Sequence, residues 1–308
     1  MKPELSIVIV TYNAQDVILD CLASLESTCS SLGDDHVDAE VIVVDNASTD
    51  RTIALLRERP ANVQLIETGY NAGYSGGNNA GIRASTAPLI LLLNPDTVVH
   101  PGALRALVDF ARDRPEAGLI GCRLLYPDGK LQHSCFHFPG LRTAFFGFFP
   151  LVPLDSTCNG RYPTSSYEQS HPVERLLGAA LLVRRQMIEG IGLLDERTFP
   201  MYFEETDWCY RAQQAGWQVY YTPEATVTHH EAFSTSRYPE RMSAAFYRSQ
   251  ARFFRRHYGL WAYAALKAIV VPGLLFWWLR STRSWLFRRV TGQTWKRRAR
   301  SYWEILWA

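Results

Sequence analysis

An α/β fold with a doubly wound sheet is what this sequence predicts, ending in a basic, aromatic, helical extension. Three observations carry the prediction. Short apolar runs alternate with amphipathic stretches as far as about residue 230, the pattern of strands and helices wound into one sheet. The runs are unbroken, as in strands buried on both faces. Charge is divided unevenly: of 32 Lys and Arg, twelve fall in residues 251–308 beside one acid, Glu304, so the first 250 residues carry 20 bases against 29 acids. Seven of the nine tryptophans also lie past residue 260. A chain of 308 residues, 47% hydrophobic and 20% charged, suffices for one large domain and an appendage.

Leu5–Val10 opens as a buried strand, followed by Thr11-Tyr12-Asn13 and an amphipathic helix from Asp16 to Cys29, with Ile18, Cys21, Leu22 and Leu25 on one face. Glu40–Val44 is a second strand, ending at Asp45 and Asn46-Ala47-Ser48-Thr49-Asp50. A helix over 51–59 and a strand over 63–67 complete the first wound unit, and the short connections argue for parallel pairing. Gly69–Gly81 is rich in glycine and reads as a loop. Ala87–Leu93 is an unbroken apolar strand that runs into Asn94-Pro95-Asp96; a helix over 102–112 and a strand over 117–125 follow. Residues 126–175, rich in Pro, Ser, His and aromatics, show little periodicity and read as a long substrate-side excursion. Beyond it the pattern predicts a strand over 175–185, a helix over 203–216, strands over 217–222 and 225–229, and a helix over 239–258.

Asp96 stands past the carboxyl end of a central strand, where open α/β sheets hold ligands, and a hard oxygen donor there suits a divalent ion bridging a diphosphate. Asp45 ends the second strand, a place from which a carboxylate accepts hydrogen bonds from a base or ribose; the alternative is a turn that starts the next helix, capped by Asp50. In the 69–81 stretch Gly73 permits close backbone approach, and Asn71, Asn78 and Asn79 offer groups for ligand oxygens. The stretch has neither GxGxxG nor a GKS/GKT ending, so a hydride-transfer cofactor and a P-loop NTPase are unsupported. Glu204-Glu205-Thr206-Asp207 opens a helix on which Glu205 shares a face with Trp208, Cys209 and Ala212. An inward carboxylate there fits a general base. Glu204 fits a solvated first turn, and Asp207 an i, i+4 ion pair with Arg211. Of His229 and His230, extended geometry lets at most one face a shared site.

Six cysteines without a CxxC pair read as free thiols, and His133-Ser134-Cys135-Phe136-His137 lacks an evident fourth metal ligand. No basic-then-apolar leader precedes the first strand, so the body is expected in the cytoplasm. Residues 260–279 match the ~20 residues that cross a bilayer, but Lys267 and Pro272-Gly273 interrupt them. Arg and Trp interleaved from Arg280 to Arg300 suit helices lying in an anionic membrane interface, with no nucleic acid as partner. Packing on the body or on a second subunit is the alternative, and the oligomeric state is open.

Taken in order, Ser6–Asn13, Val41–Asp50, Asn71–Ile82, Leu93–Asp96, Gly178–Arg185, Phe203–Arg211 and His229–Ser234 resemble the motifs of the inverting GT-A family 2 glycosyltransferases, especially the rhamnosyltransferase-like branch, over about three-quarters of the chain. The resemblance implies a GT-A (Rossmann-like) mixed sheet over residues 1–258, with a nucleotide-sugar half in 1–125, an acceptor half in 126–258 and a membrane-associating tail in 259–308. It implies that Asp45 contacts the nucleotide with Thr11 and Asn13 nearby, and that Asn71, Gly73, Asn78, Asn79 and Asn94 line the donor site. Asp96 and His229 would hold Mg²⁺ or Mn²⁺; Gly178, Ala179, Glu204 and Asp207 would lie on the acceptor side; Glu205 would be the base. Asn94 stands where many members carry the first acid of an Asp-x-Asp motif, which leaves one protein carboxylate for the ion. The implied reaction is inverting transfer of a sugar, rhamnose first among candidates, from a nucleoside-diphosphate sugar to a hydroxyl of a lipid-linked or cell-surface glycan, at the cytoplasmic side of the membrane. The competing readings are a nucleotidyltransferase, which would show a basic glycine-rich fingerprint near Thr11–Ala14, and a non-catalytic membrane-bound partner protein.

Overall fold

The computed structural model describes residues 2–29, 36–58, 63–149, 151, 156–230 and 239–307. In chain order its elements are β1 (Leu5–Thr11), α1 (Ile18–Cys29), β2 (Ala39–Asp45), α2 (Thr52–Arg57), β3 (Val63–Glu67), α3 (Gly73–Ala84), β4 (Leu89–Leu93), β5 (Thr97–Val99), α4 (Ala103–Asp113) and β6 (Ala117–Leu125). There follow β7 (Leu131–Gln132), β8 (Cys135–Phe136), α5 (Leu141–Phe148), β9 (His171–Pro172), β10 (Arg175–Leu176), β11 (Ala180–Arg184), α6 (Arg185–Ile191), α7 (Glu204–Gln214), β12 (Gln218–His229), α8 (Pro239–Phe253), α9 (Gly259–Leu286) and α10 (Gly292–Leu306). They form two units: Met1–His137 with Tyr162–Pro200 and Glu204–Ser234, and Phe138–Arg161 with Met201–Phe203 and Thr235–Ala308.

The first unit is built on a sheet of order β3-β2-β1-β4-β11-β6-β12-β5, with β7 added to β6 and β9 to β12. β1 pairs in parallel with β2 and β4, as the wound pattern predicts. β11 enters antiparallel between β4 and β6, so the sheet is mixed rather than parallel throughout. Arg175–Arg185 is correspondingly not one strand: β10 pairs with β8, and Leu177–Ala179 carries the chain across to β11. The two strands expected over 217–229 are one, β12, whose register against β6 shifts between Thr222 and Thr226. All five residues of β4 are buried, and Leu104, Leu107, Val108 and Ala111 of α4 pack into the same core. Burying each large aliphatic side chain contributes about 1.5–3 kcal/mol.

The glycine-rich stretch is not a loop. From Gly73 onward it is helix α3, and its glycines set the helix against the sheet. A Cβ at Gly77 would stand 2.6 Å from Val10 Cγ1, and one at Gly81 2.3 Å from Val8 Cγ1. Low intrinsic propensity, about 1 kcal/mol per glycine relative to alanine, is outweighed by that close approach.

The second unit is helical. α8 continues through a π-helical turn, Phe254–Tyr258, into α9. Gly273 lies against the Phe148 ring of α5, where a Cβ would come within 2.5 Å, and Trp277 Nε1 donates to Phe148 O at 2.8 Å. The Trp285 and Trp295 rings stack at 5.2 Å between α9 and α10. Lys267 turns its ammonium to the carbonyl of Leu306 at 3.0 Å, a cation at the carboxyl end of α10. The opposite stripe of α9, with Trp261, Ala264, Ala268, Val271, Leu275 and Leu279, is exposed and carries no charge. By length and composition, Met242–Leu286 is one helix long and apolar enough to cross a membrane.

Gly81→Ala tests the close approach of α3. In a free helix alanine would be the better residue; here the methyl group must displace Val8, and overpacking of this kind costs about 1–3 kcal/mol. Denaturant unfolding should show a loss of that size, and a gain in stability would mean that α3 can retreat from the sheet.

Candidate active site

Three strand ends supply the candidate site. β1 and β2 stop in register at Thr11 and Asp45. Asp45 has no exposed surface: its Oδ1 accepts from the Thr11 hydroxyl at 3.0 Å and its Oδ2 from the Ser48 amide at 2.9 Å. Asn13, in the left-handed region at φ 52°, ties down the same turn, donating its amide to Ser48 Oγ and accepting from Thr49 N at 2.8 Å. Asp50 receives the amides of Thr52 and Gln15. The loops after β1 and β2 are thus fastened together around Thr11, Asn13 and Asp45. Asn46 Nδ2 reaches Gly73 O at 2.9 Å and brings in the start of α3, where Asn71 Oδ1 accepts from Gly73 N. Asn78 and Asn79 lie away from this cluster, buried along α3. Asn78 Nδ2 donates to Tyr74 O, whereas Asn79 bonds both backbone groups of Leu194 and the carboxylate of Glu196.

The second strand end is that of β4. Past Leu93 the chain turns through Asn94-Pro95-Asp96 into β5, which pairs antiparallel with β12 so that Thr97 faces His229. That register sets Asp96 Oδ1 3.4 Å from His229 Nε2, with Asn94 Nδ2 3.3 Å from the same nitrogen. Extended alternation buries His229 and leaves His230 exposed. The other nitrogen of the His229 ring, Nδ1, stands 3.0 Å from Gln132 Oε1. Among the described residues no group of three or more His, Cys, Asp or Glu gathers, so this corner offers one carboxylate oxygen and one imidazole nitrogen. The donor types fit a divalent ion that draws its remaining ligands from water and a diphosphate. Residues 231–234 of the His229–Ser234 stretch lie outside the described residues.

The third end is the entry to β11. Asn94 N donates to Ala179 O at 2.9 Å. One residue earlier, Gly178 O accepts from the Tyr74 hydroxyl at 2.6 Å, and a Cβ on Gly178 would lie 3.0 Å from that hydroxyl and 3.8 Å from Glu205 Cβ. Gly178-Ala179 therefore joins the Asp96–His229 corner to the acidic start of α7. Tyr202 and Phe203 turn the chain into α7 with φ of 63° and 69°. For non-glycine residues that conformation costs roughly 1–2 kcal/mol each.

Glu204, expected on a solvated turn, is only 6% exposed, and its Oε2 is buried without a partner among the described residues. The two left-handed residues before it set the phase of the helix so that the first glutamate, not the second, points deepest. Burial pushes its carboxyl well above the usual carboxylate range, and the neighbouring charge of Glu205 adds to that. Glu205 is partly exposed and accepts from the Thr206 hydroxyl at 3.3 Å. Burial raises its carboxyl too, opposed by the Arg175 guanidinium. The Tyr74 hydroxyl is raised by burial and by both glutamates. Asp207 is fully buried and turned elsewhere: it accepts from Arg211 Nε at 2.7 Å, and Arg211 also binds the carbonyls of Ile191 and Leu193. Sequence reading missed Tyr74, Gln132 and Asn46. Only Asn46, beside Asp45 at a strand end, carried a signal.

Residues 6–147 match the glycosyl transferase family 2 model. The N-acetylglucosaminyl-diphospho-decaprenol L-rhamnosyltransferase of Mycobacterium tuberculosis is 35% identical over 279 residues, spanning 85% of this chain and 87% of that protein. The low-salt glycan biosynthesis hexosyltransferase Agl10 of Haloferax volcanii is 29% identical, over 70% of this chain and 63% of that one. In fold, the crystal structure of GalNAc-T7 with UDP, GalNAc and Mn²⁺ matches 74% of this chain and 44% of that chain at a TM-score of 0.57 and 13% identity. Residues 1–349 of S. aureus TarS match 89% of this chain and 80% of that one at 0.52 and 14%.

Glu204 makes a stability test with a definite sign. Its folded carboxyl titrates above its unfolded value, so its contribution to stability is full at acid pH and is lost as pH rises through the raised value. Glu204→Gln should melt with the wild type in acid and above it at neutral and alkaline pH. Melting curves that coincide across the whole range would mean that Glu204 is ionised and satisfied in the fold.

Proposed function

The chain belongs to glycosyl transferase family 2 and is a glycosyltransferase; on that premise we propose that it transfers a sugar, rhamnose first among candidates, from a nucleoside-diphosphate sugar to a hydroxyl of a lipid-linked glycan, with inversion and with Mg²⁺ or Mn²⁺. The observation that supports the reading is the Gly178-Ala179 join, which bonds to Asn94 beside the Asp96–His229 corner on one side and lies against Glu205, whose carboxyl is raised, on the other. The rhamnosyltransferase name of the Mycobacterium tuberculosis relative supports the sugar and the lipid-diphosphate acceptor.

Thr11, Asn13 and Asp45 hold the turns against which the nucleoside lies, and Asn46 Oδ1, buried without a partner among the described residues, is an acceptor suited to it. Asn71 and Gly73 shape the start of α3 beside them, while Asn78 and Asn79 act through the helix they pin. Asp96 and His229 would hold the ion, with Asn94 alongside; when bound, the ion neutralises charge on the departing diphosphate. On the acceptor side, Gly178 and Ala179 leave room for the incoming sugar, with Asp207 anchoring the helix that carries the acids. Glu205 takes the proton from the acceptor hydroxyl as its oxygen bonds to the anomeric carbon and the bond to the diphosphate breaks. No enzyme nucleophile intervenes, so configuration inverts. Burial favours the protonated form of Glu204, which leaves the more exposed Glu205 as the carboxylate that cycles.

The tail docks on the cytoplasmic membrane surface: the uncharged stripe of α9 meets the acyl boundary, and the arginines beyond Leu279 meet anionic headgroups. The full chain should float with phosphatidylglycerol vesicles and less with phosphatidylcholine ones. No flotation with either lipid, or equal flotation with both, would remove this part of the reading.

Calorimetry with Mn²⁺ and dTDP-, UDP- and GDP-sugars tests the donor site, with Asp96→Ala expected to abolish metal-dependent binding. Glu205→Gln should keep donor binding and lose ~10²–10⁴-fold in turnover. The wild-type rate should rise with pH through a carboxyl above the ordinary range, and Arg175→Gln, which removes the cation opposing that shift, should move the acid limb to higher pH. A folded protein that binds no sugar nucleotide, or a Glu205→Gln variant with full turnover, overturns the reading.

A further inference from the structure

Gln132 reaches His229 by way of two ladders. A tight turn, with Tyr126 N bonded to Lys130 O and Gly129 at φ 80°, folds β7 back along β6 so that Gln132 pairs with Leu124. On the other side of β6, β12 pairs Val227 with the same Leu124. Val227 and His229 are two residues apart on one strand and so share a face. The side chain of Gln132, 2% exposed, spans the remaining gap: Oε1 stands 3.0 Å from Nδ1 of His229. Its Nε2 is buried with no partner among the described residues. This side chain has no surface to cover, and among the described residues its one side-chain hydrogen bond is the one to His229.

The hydrogen-bond senses around the ring are mutually consistent. An amide oxygen only accepts, so Nδ1 carries the hydrogen and donates to Gln132. Nε2 is then bare, and it faces Asn94 Nδ2, which only donates, at 3.3 Å. The same bare nitrogen is 3.4 Å from Asp96 Oδ1, beyond the usual range of a hydrogen bond between them. Two neutral amides, one on each side of the imidazole, thus select one tautomer, and that tautomer aims a lone pair at the space beside Asp96.

We propose that Gln132 is a positioning residue that holds His229 in the Nδ1–H tautomer, so that Nε2 is ready to ligate a divalent ion together with Asp96. The inference rests on the reading of Asp96 and His229 as an ion site, and it adds what keeps the imidazole ligand-ready before any ion arrives. A histidine free to exchange tautomers would meet the ion with a hydrogen on the ligating nitrogen for part of the time, and its ring would be free to turn. An orienting partner on the far nitrogen removes both losses.

The test reads the tautomer directly. Long-range ¹H–¹⁵N correlation spectra of the full chain labelled at its eight histidines, with His229→Ala assigning the signal, should show His229 as Nδ1–H without metal. Gln132→Glu, whose carboxylate also only accepts, should preserve that pattern. Gln132→Leu should shift it towards Nε2–H. Mn²⁺ binding in the presence of a nucleoside diphosphate, followed by electron paramagnetic resonance, should weaken ~10–100-fold in Gln132→Leu and stay near wild type in Gln132→Glu. A wild-type His229 found as Nε2–H overturns the proposal without any variant having to fold. So does a folded Gln132→Leu with unchanged tautomer and unchanged Mn²⁺ affinity. Failure of the underlying site looks different: Asp96→Ala and His229→Ala would then bind Mn²⁺ as wild type does, whatever the tautomer.

Discussion

A strand buried on both faces has no place for a charge, and the candidate site follows from that constraint on β4. Leu89 to Leu93 leave no position where a polar side chain would meet water or a ligand. The first polar residues therefore come where the strand stops, and Asn94-Pro95-Asp96 emerges at the rim of the sheet. There the Asn94 amide is taken up by Ala179 and the chain turns into β5. Both neighbours of the rim, His229 and Gly178, arrive through pairing with segments that leave β4. The apolar core and the polar rim are two consequences of one strand.

Three buried carboxylates among the described residues show a contrast. Asp45 and Asp207 are each without exposed surface, and each is matched: the first by Thr11 and Ser48, the second by Arg211. They act as fasteners for turns and helices. Glu204 is buried beside another glutamate with an oxygen unmatched among the described residues, just after two residues in left-handed conformations. Local rules are broken together over Tyr202–Glu204 and obeyed around it. Such concentrations of strain and unmatched polarity are expected where a fold serves chemistry as well as stability.

The sheet was legible because its strands are unbroken apolar runs; β3 and β6 fall on the residues expected of them. Asp96, His229 and Glu205 were legible as polar residues at element ends, where the structure has them. The antiparallel entry of β11 was hidden from the winding pattern, since an apolar run reads the same in both directions. α3 was hidden because glycine argues against a helix, and only the valines of β1 across the gap explain why it is there. Glu204 was placed on the wrong side of its helix because two left-handed residues reset the phase, which no periodicity announces. Tyr74 and Gln132 stand alone in the sequence, and their partners are about 100 residues away.

Lys267 looks in the sequence like an interruption of the longest apolar segment. In the fold its ammonium is tied to the last turn of α10, so the α9 stripe stays uncharged from Trp261 to Leu279. The two helices are therefore a single chemical object: α10 supplies the counter-dipole that lets α9 be greasy. Loosening the final turn would leave an unpaired ammonium on the flank of that stripe. The carbonyl of Leu306 thus fixes where a lysine some forty residues earlier in the chain points.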